Sequence, residues 1–259
     1  CGEVVERVRE TLNDWNEIIM MMVMMLMSVA PYGVFCLLIS LFARMGFSAI
    51  SELIVYFLVV AGVLLLHFLV SYGLIVRFIA NINPVTFYKR MAPVMAYGFS
   101  TSSSNATLPI TLETVEHKLG VKKEIASFTV PLGATINMDG TAIMQGVATV
   151  FIASAYNIDM SFTDYLLVIL TATLASIGTA GVPGVGLIML ALVLDQVGLP
   201  VEGIGLIIGV DRLLDMMRTS VNVTGDAAVS AVVARSENKF DMAIFEDNEI
   251  QDQVAQKSS

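Results

Sequence analysis

The chain alternates long apolar runs with short polar interruptions. Residues 18–43 carry no charge and residues 53–76 carry none either, and each run exceeds the about 20 residues needed to cross a hydrocarbon core. Pro31 and Gly33 interrupt the first run and predict a kinked helix. The second is broken only by His67, which reads as a packed, hydrogen-bonded residue with no assigned role. Ahead of both, CGEVVERVRETLNDWN (1–16) sets charges against apolar positions at helical spacing and predicts an amphipathic lead-in. The cluster MMMVMMLM reads as lipid-facing or adaptable packing rather than a metal site.

Beyond residue 83 the pattern changes. Within 83–123 two apolar pieces, MAPVMAYGF and LPITL, flank the polar run STSSSNAT. Neither piece is long enough to span a membrane. A flexible linker is one reading of the serines; a hairpin that enters halfway and returns is the other, since irregular backbone at that depth must be buried or line a cavity. Residues 125–158 predict a third full span with Asp139 as its only charge. Asn137 and Asp139 are two apart, so an unbroken helix would aim them at different faces. Gly140 beside them predicts local unwinding, which exposes carbonyls next to a carboxylate and suits a hard cation; a structural Asp bonded to a neighbouring helix is the alternative. Residues 165–194 are also uncharged, but SIGTAGVPGVG in their middle is incompatible with a regular helix and predicts a second re-entrant hairpin.

The last element runs from near 203 to near 235 and contains DRLLDMMRTSVNVTGD (211–226). At about 100° per residue, Arg218, Asp211, Asn222, Asp215, Asp226 and Thr219 fall within an arc of roughly 100°. A charge at the centre of a bilayer costs about 2.5 to 3.5 kcal/mol, so the stripe must face protein, water or a ligand. An internal repeat is visible. TSSSNATLP precedes the helix bearing Asn137 and Asp139, and SIGTAGVPG precedes the helix bearing Asn222 and Asp226. Paired interrupted segments of this kind point to a transporter's midplane binding site.

Composition agrees with the pattern. Of 259 residues 56% are apolar and 14% charged, with mean hydropathy +0.78, against roughly 45 to 50% and about 25% in soluble domains; this is an all-α integral membrane protein. The net charge of −9 sits largely in FEDNEIQDQ and near helix ends. No basic patch exists, which excludes nucleic acid as a partner. Cys1 and Cys36 are too few for a disulfide framework, and Cys36 reads as a buried thiol. A chain that opens at Cys1 reads as a fragment or a processed N-terminus. Arg77, Lys89, Arg90, Lys118, Lys122 and Lys123 flank the first hairpin and Arg235, Lys239 and Lys257 follow the last helix, whereas YNIDMSFTD and DQVGLPVE carry no basic residue. That asymmetry predicts a first hairpin entering from the cytoplasm, a second from outside, and a cytoplasmic C-terminus.

Four motifs in this order, SSSNATLP, GATINMDGT (133–141), ASIGTAGVPG and DMMRTSVNVTGD, resemble the dicarboxylate/amino acid:cation symporters, the glutamate/aspartate transporter family. The likeness extends through about Lys239. It implies an elevator-type fold of transmembrane helices plus two re-entrant helical hairpins, assembled as a homotrimer in the cell membrane. It also implies that the first three helices and most of the fourth are missing here. On that pattern, 1–48 holds the lead-in and a scaffold helix, 49–239 a portion of the transport domain, and 240–259 an acidic cytoplasmic tail.

The resemblance assigns roles residue by residue. Asp215 matches the residue that binds the substrate's amino group and Arg218 the one that binds its side-chain carboxylate, in keeping with the bidentate fork a guanidinium offers. Thr219 and Asn222 match contacts to the amino and α-carboxylate groups, Ser103 and Ser104 the first hairpin's tip, Val182 and Gly186 the second gate, and Thr141 lies beside the distal carboxylate. For sodium, Gly133, Asn137, Asn222 and Asp226 match one site; Thr135, Met138, Ser176, Ile177 and Thr179 match a second; Asp139 matches a ligand of a third, whose other members lie on a helix outside this chain. The chain departs from the pattern in having Ser102, Met216 and Met144 where various members carry arginine, arginine and tyrosine; Arg212, one turn from Asp215, is the candidate substitute. These departures bear on ion stoichiometry and potassium counter-transport.

The leading expectation is sodium-coupled symport of L-glutamate or L-aspartate. Proton coupling is an alternative, as is a C4-dicarboxylate carrier, although a dianion has no ammonium for Asp215. A channel is the alternative from another class, without a ring-forming filter sequence to support it. No nucleophile and base pair stands out, so an enzyme is not expected.

Overall fold

A computed structural model describes residues 48–247 continuously, together with isolated helical positions among residues 7–39. The rest of the lead-in, most of the first apolar run with its expected kink, and residues 248–259 of the tail lie outside the described residues. The chain forms two compact units, Cys1–Ala49 and Ile50–Ser259. In the first, Trp15, Met22 and Phe35 are exposed, and Cys36, expected to be buried, is exposed too.

Among its described residues the second unit is built of helices and short turns, apart from one isolated bridge between Val121 and Phe240. Helix α1 (Ser48–Leu66) continues through two π-helical stretches, His67–Tyr72 and Ile75–Ile79. Ser51–Ile79 is long and apolar enough to cross a membrane. One side of α1 packs Tyr56, Val60 and Leu64 into the core, while Leu58, Leu65 and Leu66 remain exposed.

Each hairpin is built by local signals. Asn83 caps α2 (Pro84–Thr101) by accepting from the Val85 N–H, and Pro84 supplies the fixed φ of a first turn. The helix stops at Ser102, whose φ of +52° is left-handed, and Ser103 then caps α3 (Ser104–His117) by accepting from the Ala106 N–H. The serine run is therefore a tight helical reversal, and the linker reading fails because Ser102, Ser103 and Ser104 are buried in the turn and Ser103 caps the next helix. In the second hairpin, Ser161 and Asp164 form a capping box at the start of α6 (Phe162–Ile177). Residues 178–184 make the tip, and Gly184, at φ +80°, opens α7 (Val185–Gln196).

Between the hairpins, α4 (Lys123–Ile136) and α5 (Asp139–Ala155) are separated by an unwound step at Asn137 and Met138, next to Gly140 as expected. After a short 3₁₀ turn, Val201–Gly203, the 33-residue α8 (Ile204–Ser236) runs unbroken for about 50 Å. It packs against α2, α3, α4, α5 and α7. Its first half enters an apolar core with Leu64, Met144, Ile152, Leu190 and Val193, and its second half enters another with Phe87, Met91, Val115 and Val130. The polar stripe lies where α8 passes from one core to the other.

Residues 240–247 fold back onto the first hairpin. Asp241 caps α9 (Met242–Glu246). Buried Arg90 donates to the carbonyls of Lys118, Ile244 and Asp247 and lies 5.3 Å over the Phe245 ring. The backbone pairs Lys122 N–H with the Lys239 carbonyl and Asp241 N–H with the Gly120 carbonyl.

Candidate functional site

Asp211, Asp215 and Arg218 sit four and three residues apart, so one face of α8 carries all three. The Arg218 guanidinium is only 1% exposed. Its Nη1 donates to Asp211 Oδ1 at 2.8 Å and its Nη2 donates to Asp215 Oδ1 at 2.8 Å, with Asp211 Oδ2 at 3.5 Å. Asp215 Oδ2 accepts from the Gly184 N–H at 3.0 Å, which ties the second hairpin's tip to the stripe. One guanidinium between two buried carboxylates leaves a net negative charge in low dielectric. Such a site favours a ligand that brings an ammonium. Asp211 belongs to the stripe read from the sequence but not to the predicted site; two full turns before Arg218 was the signal that could have placed it there.

A narrow pocket opens beside this cluster. Ser104, Thr141, Val182, Gly186, Asp215, Thr219 and Asn222, all predicted site residues, line it together with Ser102, Met138, Thr179, Ala180 and Gly181. Its free space holds about one water. The tips of both hairpins therefore close over α8. Ser103 does not line the pocket but holds it shut: its Oγ donates to the Gly181 carbonyl at 2.7 Å, and the Asn105 N–H donates to the same oxygen at 3.1 Å. Arg218 lies behind the lining, engaged by its two carboxylates. Arg212, the candidate substitute for the family's extra arginine, is exposed and does not line the pocket.

The four residues of the first proposed cation group come together. Asn137 Nδ2 donates to Asp226 Oδ1 at 3.0 Å and to the Asn222 carbonyl at 3.3 Å. Asn222 Oδ1 accepts from the Gly140 N–H at 2.8 Å, and its Nδ2 reaches Met138 Sδ at 3.2 Å. A Cβ on Gly133 would lie 2.6 Å from Asp226 Oδ1, so only glycine admits that carboxylate against α4. Of the second group, Met138 and Thr179 reach the pocket. Ser176 is buried and donates to the Thr173 carbonyl at 2.8 Å, while the side chains of Thr135 and Ile177 are exposed. Asp139 stands apart from both groups. Its Oδ2 accepts from the Tyr72 hydroxyl at 3.0 Å and lies 3.2 Å from His67 Nε2. The sequence reading gave His67 no role and did not consider Tyr72, because their convergence depends on a helical geometry with no sequence signature.

A helical unit with two capped hairpins, a broken helix and a buried ionic stripe at their meeting point defines the class of fold. Residues 1–236 match the model of the Sodium:dicarboxylate symporter family, and the chain belongs to that family. It is accordingly a membrane protein. It is 43% identical over 220 residues to an excitatory amino acid transporter of Caenorhabditis elegans, covering 84% of this chain and 44% of that protein. It is 42% identical over 220 residues to one of Onchocerca volvulus, covering 84% and 45%. To excitatory amino acid transporter 1 of Mus musculus it is 39% identical over 230 residues, covering 88% and 42%. The chain thus spans less than half the length of these relatives.

Proposed function

We propose that the protein to which this chain belongs is a secondary active transporter that couples inward sodium movement to uptake of L-glutamate or L-aspartate. The observation that carries this reading is the buried Asp211–Arg218–Asp215 cluster, closed over by the tip residue Gly184. A substrate ammonium takes Asp215 from Gly184 and Arg218. The substrate's side-chain carboxylate then takes the Nη2 that Asp215 leaves, while Asp211 keeps Nη1. Both halves of the broken pair find new partners in one molecule, whereas a C4 dicarboxylate supplies the anion without the ammonium. The relatives' names as excitatory amino acid transporters favour the same substrate class.

Sodium at the Gly133, Asn137, Asn222 and Asp226 group sits one turn from the substrate residues. Asn222 belongs to both, since its side chain also lines the pocket. A cation there draws the Asn222 carbonyl and the Asp226 carboxylate inward, and so prepares the pocket. The protein assembles as a homotrimer in the cell membrane with its C-terminus in the cytoplasm, and the basic residues around the first hairpin support that orientation.

The test is uptake of labelled aspartate and glutamate into proteoliposomes holding the full-length protein, with sodium and proton gradients imposed separately. Sodium-driven, saturable accumulation is expected. Accumulation driven by protons alone assigns the coupling to protons. Arg218→Met abolishes acidic substrate uptake and admits neutral amino acids; unchanged aspartate uptake by that variant overturns the substrate assignment.

A further inference from the structure

Asp139 is anchored by a feature outside both hairpins. Tyr72 is 2% exposed, and its hydroxyl lies against Gly225 and Asn137 as well as Asp139. In an α-helix, residues five apart diverge by about 140°, so His67 and Tyr72 would serve different neighbours. The stretch His67–Tyr72 is π-helical, and the wider i→i+5 turn brings these two positions to nearly the same side. Their rings meet edge to face with centroids 4.7 Å apart. Both then reach the same carboxylate oxygen, Oδ2. To an ionised Asp139, which only accepts, His67 donates in the tautomer that carries its proton on Nε2. Among the described residues no donor meets Oδ1.

We propose that the π-helical turn His67–Tyr72 is the positioning element of a cation site at Asp139: imidazole and phenol together hold Oδ2, and Oδ1 is presented to the ion. The proposal rests on the sodium-coupled reading above. The carboxylate is the ligand; His67 and Tyr72 act through it. Tyr72 also links this site to the Asn137 and Asp226 group, because the phenol that fixes Asp139 is wedged against Asn137 and Gly225. Occupancy at one site is therefore felt at the other through a single rigid ring.

The experiment measures half-saturating sodium for aspartate uptake by the full-length protein and its Tyr72→Phe, His67→Ala and His67→Gln variants. Tyr72→Phe and His67→Ala raise it about tenfold, the size expected when a ligand's supporting hydrogen bond is lost. His67→Gln, whose amide donates from the same place, stays near wild type. The aspartate KM at saturating sodium moves less than about twofold in all three. The sodium-induced rise in Tm, which needs no turnover, then reports a double-mutant cycle: Tyr72→Phe has no further effect in Asp139→Asn. Equal sodium dependence in all variants, or a full Tyr72→Phe effect without the Asp139 carboxylate, overturns the positioning role. Wild-type uptake that sodium does not stimulate overturns the coupling reading instead. Amide exchange at residues 139–142 then decides positioning by itself: faster exchange in Tyr72→Phe and His67→Ala but not His67→Gln supports it, and unchanged exchange overturns it.

Discussion

Arg218 shows why stability and selectivity must be separated at this site. Replacing it with Met leaves Asp211 and Asp215 buried without a counter-charge, a loss of about 3 to 5 kcal/mol. The double variant Asp211→Asn, Arg218→Met regains part of that stability, measured as Tm of the purified protein, since Asp215 still lacks its counter-charge, but does not regain aspartate uptake. Recovery of uptake in the double variant is the result that contradicts the role given to Arg218. Gly225 makes a different kind of demand. Its missing Cβ is the space occupied by the Tyr72 hydroxyl and Asn137 Nδ2. Gly225→Ala should therefore cost about 1 to 3 kcal/mol through overpacking and weaken sodium binding, seen as a lower Tm and a smaller sodium-induced rise. The carboxylates and the arginine of 211–226 were legible from their helical spacing. The tight approach at Gly225 was not, because nothing in its own helix announces which residue will fill the space.

The two hairpins meet through the Gly181 carbonyl, which takes one bond from a side chain and one from the backbone of the first tip. Ser103→Ala removes both that latch and the cap of α3, with about 1 kcal/mol expected for the cap. The second tip should then open more often, and a cysteine placed at exposed Ala180 should react faster with a polar thiol reagent than in the Ser103 background. An unchanged rate would show that the latch does not hold the gate. The hairpins were readable as elements because Gly, Pro and Ser at their tips have strong local preferences. The break between α4 and α5 was readable for a similar reason, as Gly140 beside the polar pair Asn137 and Asp139 favours local unwinding. The π-helical turn was invisible, since residues 67–72 are an ordinary apolar helix by composition and their partners, α8 and the Asp139 carboxylate, lie far along the chain.

Across the whole unit, α8 joins two apolar cores, and the tail's first residues close one of them. Phe245 is buried in that core, and Arg90 gathers carbonyls from the first hairpin and the tail. Arg90→Met removes the charged donor shared by the carbonyls of Lys118, Ile244 and Asp247, a loss of about 1 to 3 kcal/mol in all. Truncation after Ser236 exposes Phe87, Leu119 and Val121. Both changes should lower Tm while leaving the aspartate KM of the surviving protein unaltered, and a KM shift without loss of Tm would argue that the clamp acts on the site itself. Residues 240–247 read as acidic tail from their composition, because no local pattern in FDMAIFED shows that a buried arginine far earlier in the chain awaits its carbonyls. The sequence alone determined the helical membrane class, the two hairpins and the repeat that pairs Asn137 with Asn222 and Asp226, since periodicity, charge spacing and turn chemistry are local properties. The tertiary structure alone decided that Asp211 shares Arg218 with Asp215, that Gly184 and Gly181 lock the tips, and that His67 and Tyr72 converge on Asp139. Those contacts join residues up to about 80 positions apart, and their geometry depends on packing rather than on any neighbour in the chain.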